Sequence, residues 1–169
     1  EYEIISLKES GIELNAEEIG QTFEQNSKIR AMGLAKYTKE IVLAYSEGLW
    51  IDCLDGFPGI KTYRILGKDA TDEERNAYLL RQLEGKDIYQ RIAEVVTAVT
   101  VIRDGEIYTA TGEIEGYIAE EPKGRNGIGF EPIFDARGGK TLAEMGTFEK
   151  NRISSLKKAI KKLQRYKVL

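Results

Sequence analysis

Any chemistry this chain performs must come from carboxylates, lysines and hydroxyls. Its 169 residues include no histidine and a single cysteine, Cys53. The commonest general base near neutral pH is therefore missing, and so is the commonest transition-metal ligand. A metal in such a chain would be a hard, oxygen-liking ion such as Mg²⁺. On spacing alone Glu47 and Glu131 read as loop-surface charges, the latter after a loop that carries Gly124, Gly127 and Gly129. Lys36 and Lys150 lie in stretches of helical pattern. On spacing alone the lysines read as solvated helix faces, and the glycines as residues that permit turns.

Several elements must hold these groups. Tyr2, Ile4, Ile5 and Leu7 read as an opening strand, with Gly11 and Asn15 in the loop beyond it. From Thr22 to Glu40 the pattern is helical, with Phe23, Ser27, Ala31, Leu34 and Ala35 on one face. Ile41 to Ala44 and Gly48 to Leu54 read as two short strands closed by Asp55-Gly56. Thr71-Asp72-Glu73-Glu74 has capping-box spacing and starts a helix that runs to about Leu83. Ile92 to Ile102 and Ile107 to Ile118 form a hairpin about Asp104-Gly105. Ile133-Phe134 is a short extended piece. A last helix spans Phe148 to Tyr166 with Ile153, Leu156, Ile160 and Leu163 as its apolar stripe.

Composition narrows the class. Hydrophobic residues make up 41% and charged residues 31%, a globular balance. The net charge of -3 is not that of a nucleic-acid binder. The lysines and arginine of the last helix, with few aromatics among them, read as cations near a helix C-terminus. No apolar run reaches membrane-spanning length and no signal peptide opens the chain, so a cytoplasmic protein is expected. A lone cysteine allows no internal disulfide. No repeat, low-complexity segment or linker interrupts residues 1–169, which read as one domain.

Four segments in order resemble the inosine triphosphate pyrophosphatase family. Glu18-Ile-Gly-Gln-Thr-Phe-Glu-Gln-Asn26 is similar to E-T-G-x-T-F-x-E-N-A. Val42-Leu-Ala-Tyr-Ser-Glu-Gly-Leu49 is similar to V-L-A-D-D-S-G-L. Gly124-Arg-Asn-Gly-Ile-Gly-Phe-Glu-Pro-Ile-Phe134 is similar to G-x-x-G-F-G-Y-D-P-I-F. Glu149-Lys-Asn-Arg-Ile-Ser154 is similar to E-K-N-x-x-S-H-R. The resemblance implies an α/β fold with a mixed central sheet flanked by helices, in two lobes around a cleft. It implies a homodimer, and Mg²⁺-dependent hydrolysis of ITP, dITP or XTP to the monophosphate and pyrophosphate. It implies substrate contacts at Thr62, Arg64, Asn126, Gly129, Phe130, Glu131, Lys150 and Ser155, and a catalytic lysine at Lys36. The chain starts after the family's first strand and T-x-N-x-x-K phosphate loop.

The same resemblance exposes replacements. The family's helical metal carboxylate falls at Gln25. Its paired aspartates fall at Tyr45 and Ser46, the second being the family's proton acceptor and metal ligand. Its His-Arg pair falls at Ser155 and Leu156. Glu47, where the family has a serine, is the carboxylate left to act as base or to hold metal, with Gln25 as a neutral oxygen ligand. Two outcomes are expected from this pattern. One is a nucleoside triphosphate pyrophosphatase with impaired hydrolysis. The other is a catalytically inactive descendant that binds a nucleotide or a protein.

Overall fold

A computed structural model describes residues 2–14, 16 and 19–169. Asn15 and Glu18, the latter the first residue of the first family-like segment, lie outside the described residues. The centre is a four-stranded sheet in the order β1-β2-β3-β4, with β1 Val42–Ile51, β2 Ile92–Arg103, β3 Glu106–Ile118 and β4 Phe134–Asp135. The α/β class is as expected, and every pairing among the described strands is antiparallel. The two short strands expected between Ile41 and Leu54 are one continuous strand, β1. Its ten residues pair without a break from Val42↔Ile102 to Ile51↔Ala93.

The hairpin forms where the sequence places it. Asp104 and Gly105 take φ of 53° and 83°. Two successive positive-φ residues match the twist of the flanking strands, as a type I′ turn requires. At the N-terminus the expected strand is absent. Ser6 instead caps a one-turn helix, α1 Leu7–Ser10, through a reciprocal capping box with Glu9. Tyr2, Ile4 and Ile5 are exposed, because β-branched and aromatic residues make a strand only where a neighbour pairs with them.

Helices cover the two faces of the sheet. Thr22 caps α2, Phe23–Leu34, which is shorter than its apolar pattern suggested and ends in a turn at Ala35–Tyr37. Phe23, Asn26, Ser27 and Ala31 are its buried stripe. Ser27 Oγ lies 2.7 Å from Thr100 Oγ1, and the Arg30 guanidinium donates to the Tyr45 carbonyl at 2.8 Å. Ala44 pairs with Thr100, so α2 covers the face that bears the even-numbered side chains of β1.

The opposite face carries two buried clusters. Leu49, Ile51, Val95, Ile114 and Ile118 pack with Leu79 and Leu83 of α3, Asp72–Gln82, and with Phe130, Ile133, Phe134 and Leu142. Val99 and Val101 pack with Ala159 and Leu163 of α5, Ser155–Arg165. The single C-terminal helix expected from Phe148 is two helices. α4, Thr147–Ile153, stops at Ser154, whose ψ of 125° leaves the helical region. The Ser154 hydroxyl then accepts the Lys157 amide and caps α5. No helix among the described residues is long and apolar enough to cross a membrane.

Candidate functional site

Between the two clusters the sheet carries one polar row, Glu47–Thr97–Gly112, read straight across the register. Both neighbours on β1's odd face differ from it: Leu49 is in the core, and Tyr45 is exposed at the sheet edge. Gly112 has to be glycine here, because a Cβ would overlap the Ser155 carbonyl and lie 2.7 Å from the Ala159 amide nitrogen. That close approach brings the start of α5 down onto the row. Ser155 is buried, and its Oγ is 2.7 Å from Thr97 Oγ1.

Glu47 is the focus of this seam. Thr97 Oγ1 donates to its Oε2 at 2.6 Å, Ser155 Oγ at 3.5 Å, and the Tyr63 hydroxyl donates to its Oε1 at 3.4 Å. Burial pushes the Glu47 carboxyl above the usual carboxylate range. The three hydroxyl donors oppose that shift, and the charge of Glu131 adds to it. The Tyr63 phenol is likewise pushed up, first by burial and then by the charge of Glu47.

A second group closes the seam from the loop side. Lys150 on α4 pairs with Glu131 Oε2 at 2.7 Å and also donates to the Asn126 carbonyl. Each side chain of that pair is 22% exposed. Glu131 Oε2 also accepts the Ile128 amide at 3.0 Å, which folds the loop back on itself. The loop is anchored to α3 at Gly129. Its N–H donates to Asp72 Oδ2 and its carbonyl accepts from Asn76 Nδ2, both at 2.9 Å.

The residues singled out in the sequence therefore separate into groups. Glu47 and Ser155 meet in the seam, while Glu131 and Lys150 pair beside it with the Asn126 backbone, near enough for the Glu131 charge to act on Glu47. Gly129 is held behind it. Phe130 is 4% exposed and belongs to the core; Tyr63 stands in front of it, half exposed, with ring centroids 6.0 Å apart. The Thr62 hydroxyl is occupied with the main chain, accepting from the Leu49 amide and donating to the Gly59 carbonyl. Arg64 Nη2 donates to the Ile60 carbonyl. Lys36 is exposed in the turn beyond α2, at the opposite end of that helix from Gln25.

Ser46 and Gln25 belong to the other face. Ser46 is buried on the α2 side of β1. Gln25 Oε1 accepts the Gln21 amide at 2.7 Å, which commits it to capping α2. Strand alternation sets Glu47 on the face opposite Ser46. Among the described residues no group of three or more His, Cys, Asp or Glu side chains is placed to hold a metal ion. The donors at Gln25, Ser46 and Glu47 thus do not fit Mg²⁺, which needs clustered anionic oxygens.

Two seam residues escaped the sequence reading, Thr97 and Tyr63. Thr97 lies in a valine-threonine run that signals only a strand, and its partners are 50 and 58 positions away. Tyr63 stands between Thr62 and Arg64, outside every motif position.

The Ham1 family profile matches residues 1–166. The chain is similar to the dITP/XTP pyrophosphatase of Caldanaerobacter subterraneus subsp. tengcongensis, with 42% identity over 166 residues, covering 97% of this chain and 83% of that protein. It is similar to the dITP/XTP pyrophosphatase of Bacillus subtilis, with 40% identity over 166 residues, covering 97% and 84%. Among solved structures, the Staphylococcus aureus Ham1 protein superposes with a TM-score of 0.88 at 32% identity, covering 98% of this chain and 86% of that one.

Proposed function

The chain belongs to the Ham1 family, and from that premise we propose that its seam binds a purine nucleoside triphosphate of the deaminated class while the family's release of pyrophosphate is strongly impaired. The substrate class comes from the relatives, which are dITP/XTP pyrophosphatases. The impairment comes from this chain's own residues. Metal-assisted cleavage needs carboxylates that hold the ion and ready a water. Gln25 and Ser46 bring no charge.

The observation that carries the reading is the alternation of β1. Glu47 is one residue from Ser46, yet in a strand one residue is the other side of the sheet. Glu47 bonds to Thr97 and Tyr63 instead of facing α2. It stays on the seam's side of the edge strand β1, where the base end would lie, and does not replace the lost base on Ser46's side, to which the phosphates would reach round the edge.

The test is pyrophosphate release from ITP, with and without Mg²⁺, by the chain and by a Gln25→Glu/Ser46→Asp double variant. The chain should turn over slowly, and the double variant should gain Mg²⁺-dependent release of about a hundred-fold or more, the usual scale for charge restored to a pre-formed site. Mg²⁺-dependent release by the unaltered chain as fast as that of the double variant at its restored rate would sink the proposal and return Glu47 to the mechanism.

A further inference from the structure

We propose that Asp72 and Asn76 are positioning residues: from the start of α3 they fix the loop that carries Glu131, and so set affinity for the base end of a nucleotide. This rests on the reading that the seam binds a purine nucleoside triphosphate.

The two side chains are four residues apart, one above the other on the same helix face. Together they take both polar backbone groups of one residue. Asp72 Oδ2 accepts the Gly129 amide and Asn76 Nδ2 donates to the Gly129 carbonyl, each at 2.9 Å. Asn76 is 5% exposed. Helix capping does not explain the arrangement. Thr71 already caps α3 by accepting the Glu74 amide, so the Asp72 carboxylate is available to reach sideways. Its other oxygen, Oδ1, is 3.3 Å from Arg75 Nη1, and Arg75 Nη2 donates to the Gly67 carbonyl at 3.0 Å.

The glycine so held is a demanding one. Its φ is +57°, and a Cβ there would lie 3.0 Å from Tyr63 Cε1. Directly after it come Phe130, packed behind Tyr63, and Glu131, paired with Lys150. A clasp on both sides of Gly129 therefore fixes the start of the turn that aims Glu131 at the seam. The Glu131 charge repels phosphate oxygens as it does Glu47, so the end of a ligand that this clasp serves is the base and sugar.

The test uses the full chain and four variants, Asn76→Asp, Asn76→Ala, Asp72→Ala and Asp72→Asn. Calorimetry measures affinity for ITP and for inorganic tripolyphosphate, and amide exchange follows Gly129. Asn76→Asp keeps the shape but cannot donate to the carbonyl. It should weaken ITP by roughly ten-fold, the scale of one buried hydrogen bond left unmade. Tripolyphosphate affinity should not follow. Asp72→Ala should act likewise, and Asp72→Asn, which keeps an acceptor for the Gly129 amide, should restore affinity. If Gly129 exchange quickens while ITP binds as before, or if both ligands weaken alike, the positioning role is wrong and the nucleotide reading stands. If the unaltered chain binds no ITP, the nucleotide reading fails and the inference falls with it. Should Asn76→Asp not fold, Asn76→Ala and the two Asp72 variants decide between these outcomes.

Discussion

The most consequential single residue is Glu47. Its carboxyl is pushed above its ordinary value of 4.5 chiefly by burial. In the unfolded chain the group ionises near that ordinary value; in the folded chain it ionises later. Below the ordinary value both states are neutral there and no penalty exists. As pH rises toward the folded value, the unfolded state sheds its proton first, and the protein loses stability until both states are ionised. Glu47→Gln removes that loss and retains an acceptor for Thr97. Its thermal midpoint should therefore exceed the parent's at pH 7, with the gap shrinking toward pH 4. Calorimetric scans of both proteins across that range check it. A gap that widens on acidification would mean that the three hydroxyls outweigh burial.

At the scale of elements, Gly112 sets how closely α5 approaches the sheet. Gly112→Ala puts a methyl against main-chain atoms of Ser155 and Ala159, which cannot rotate away. A cost of about 3 kcal/mol is expected, as for other overpacked contacts, and urea denaturation measures it. The elements also show what a sequence makes legible. The Asp104-Gly105 hairpin and the Thr71 cap were readable because local chemistry fixes them. The break at Ser154 was not. The apolar stripe from Ile153 to Leu163 runs on across it, and only the Ser154 ψ and its bond to the Lys157 amide interrupt the helix. Tyr2 to Leu7 misled for the converse reason, since the strand-forming residues there pair with no strand among the described residues. Glu131, Lys150 and Ser155 were found at the seam through motif matches. Thr97 and Tyr63 were not, because their roles come from tertiary register.

At the scale of the whole molecule, the two buried clusters stand on the same strands. β2 gives Ala93 and Val95 to one and Val99 and Val101 to the other. Neither has a sheet of its own, so the halves should unfold together. Fluorescence of the single tryptophan, Trp50, and far-ultraviolet circular dichroism should trace one coincident urea transition. Two separated midpoints would show that α5 and its cluster melt independently.

The long hairpin pairs residues that are near in sequence, whereas the seam gathers its members from far apart. Tyr63, Thr97 and Ser155 reach Glu47 across 16, 50 and 108 positions. Closing each longer loop costs further chain entropy, although the cost grows slowly with length. The seam thus holds the most distant join among the hydrogen bonds of the described residues. A molecule that binds there only when those joins are made acts as a reversible cross-link. It draws the population toward the closed chain in proportion to the logarithm of its concentration once that exceeds the dissociation constant. Occupancy of the seam and global stability are therefore one linked equilibrium, and a nucleotide too slowly hydrolysed to be a substrate would still be felt throughout the fold.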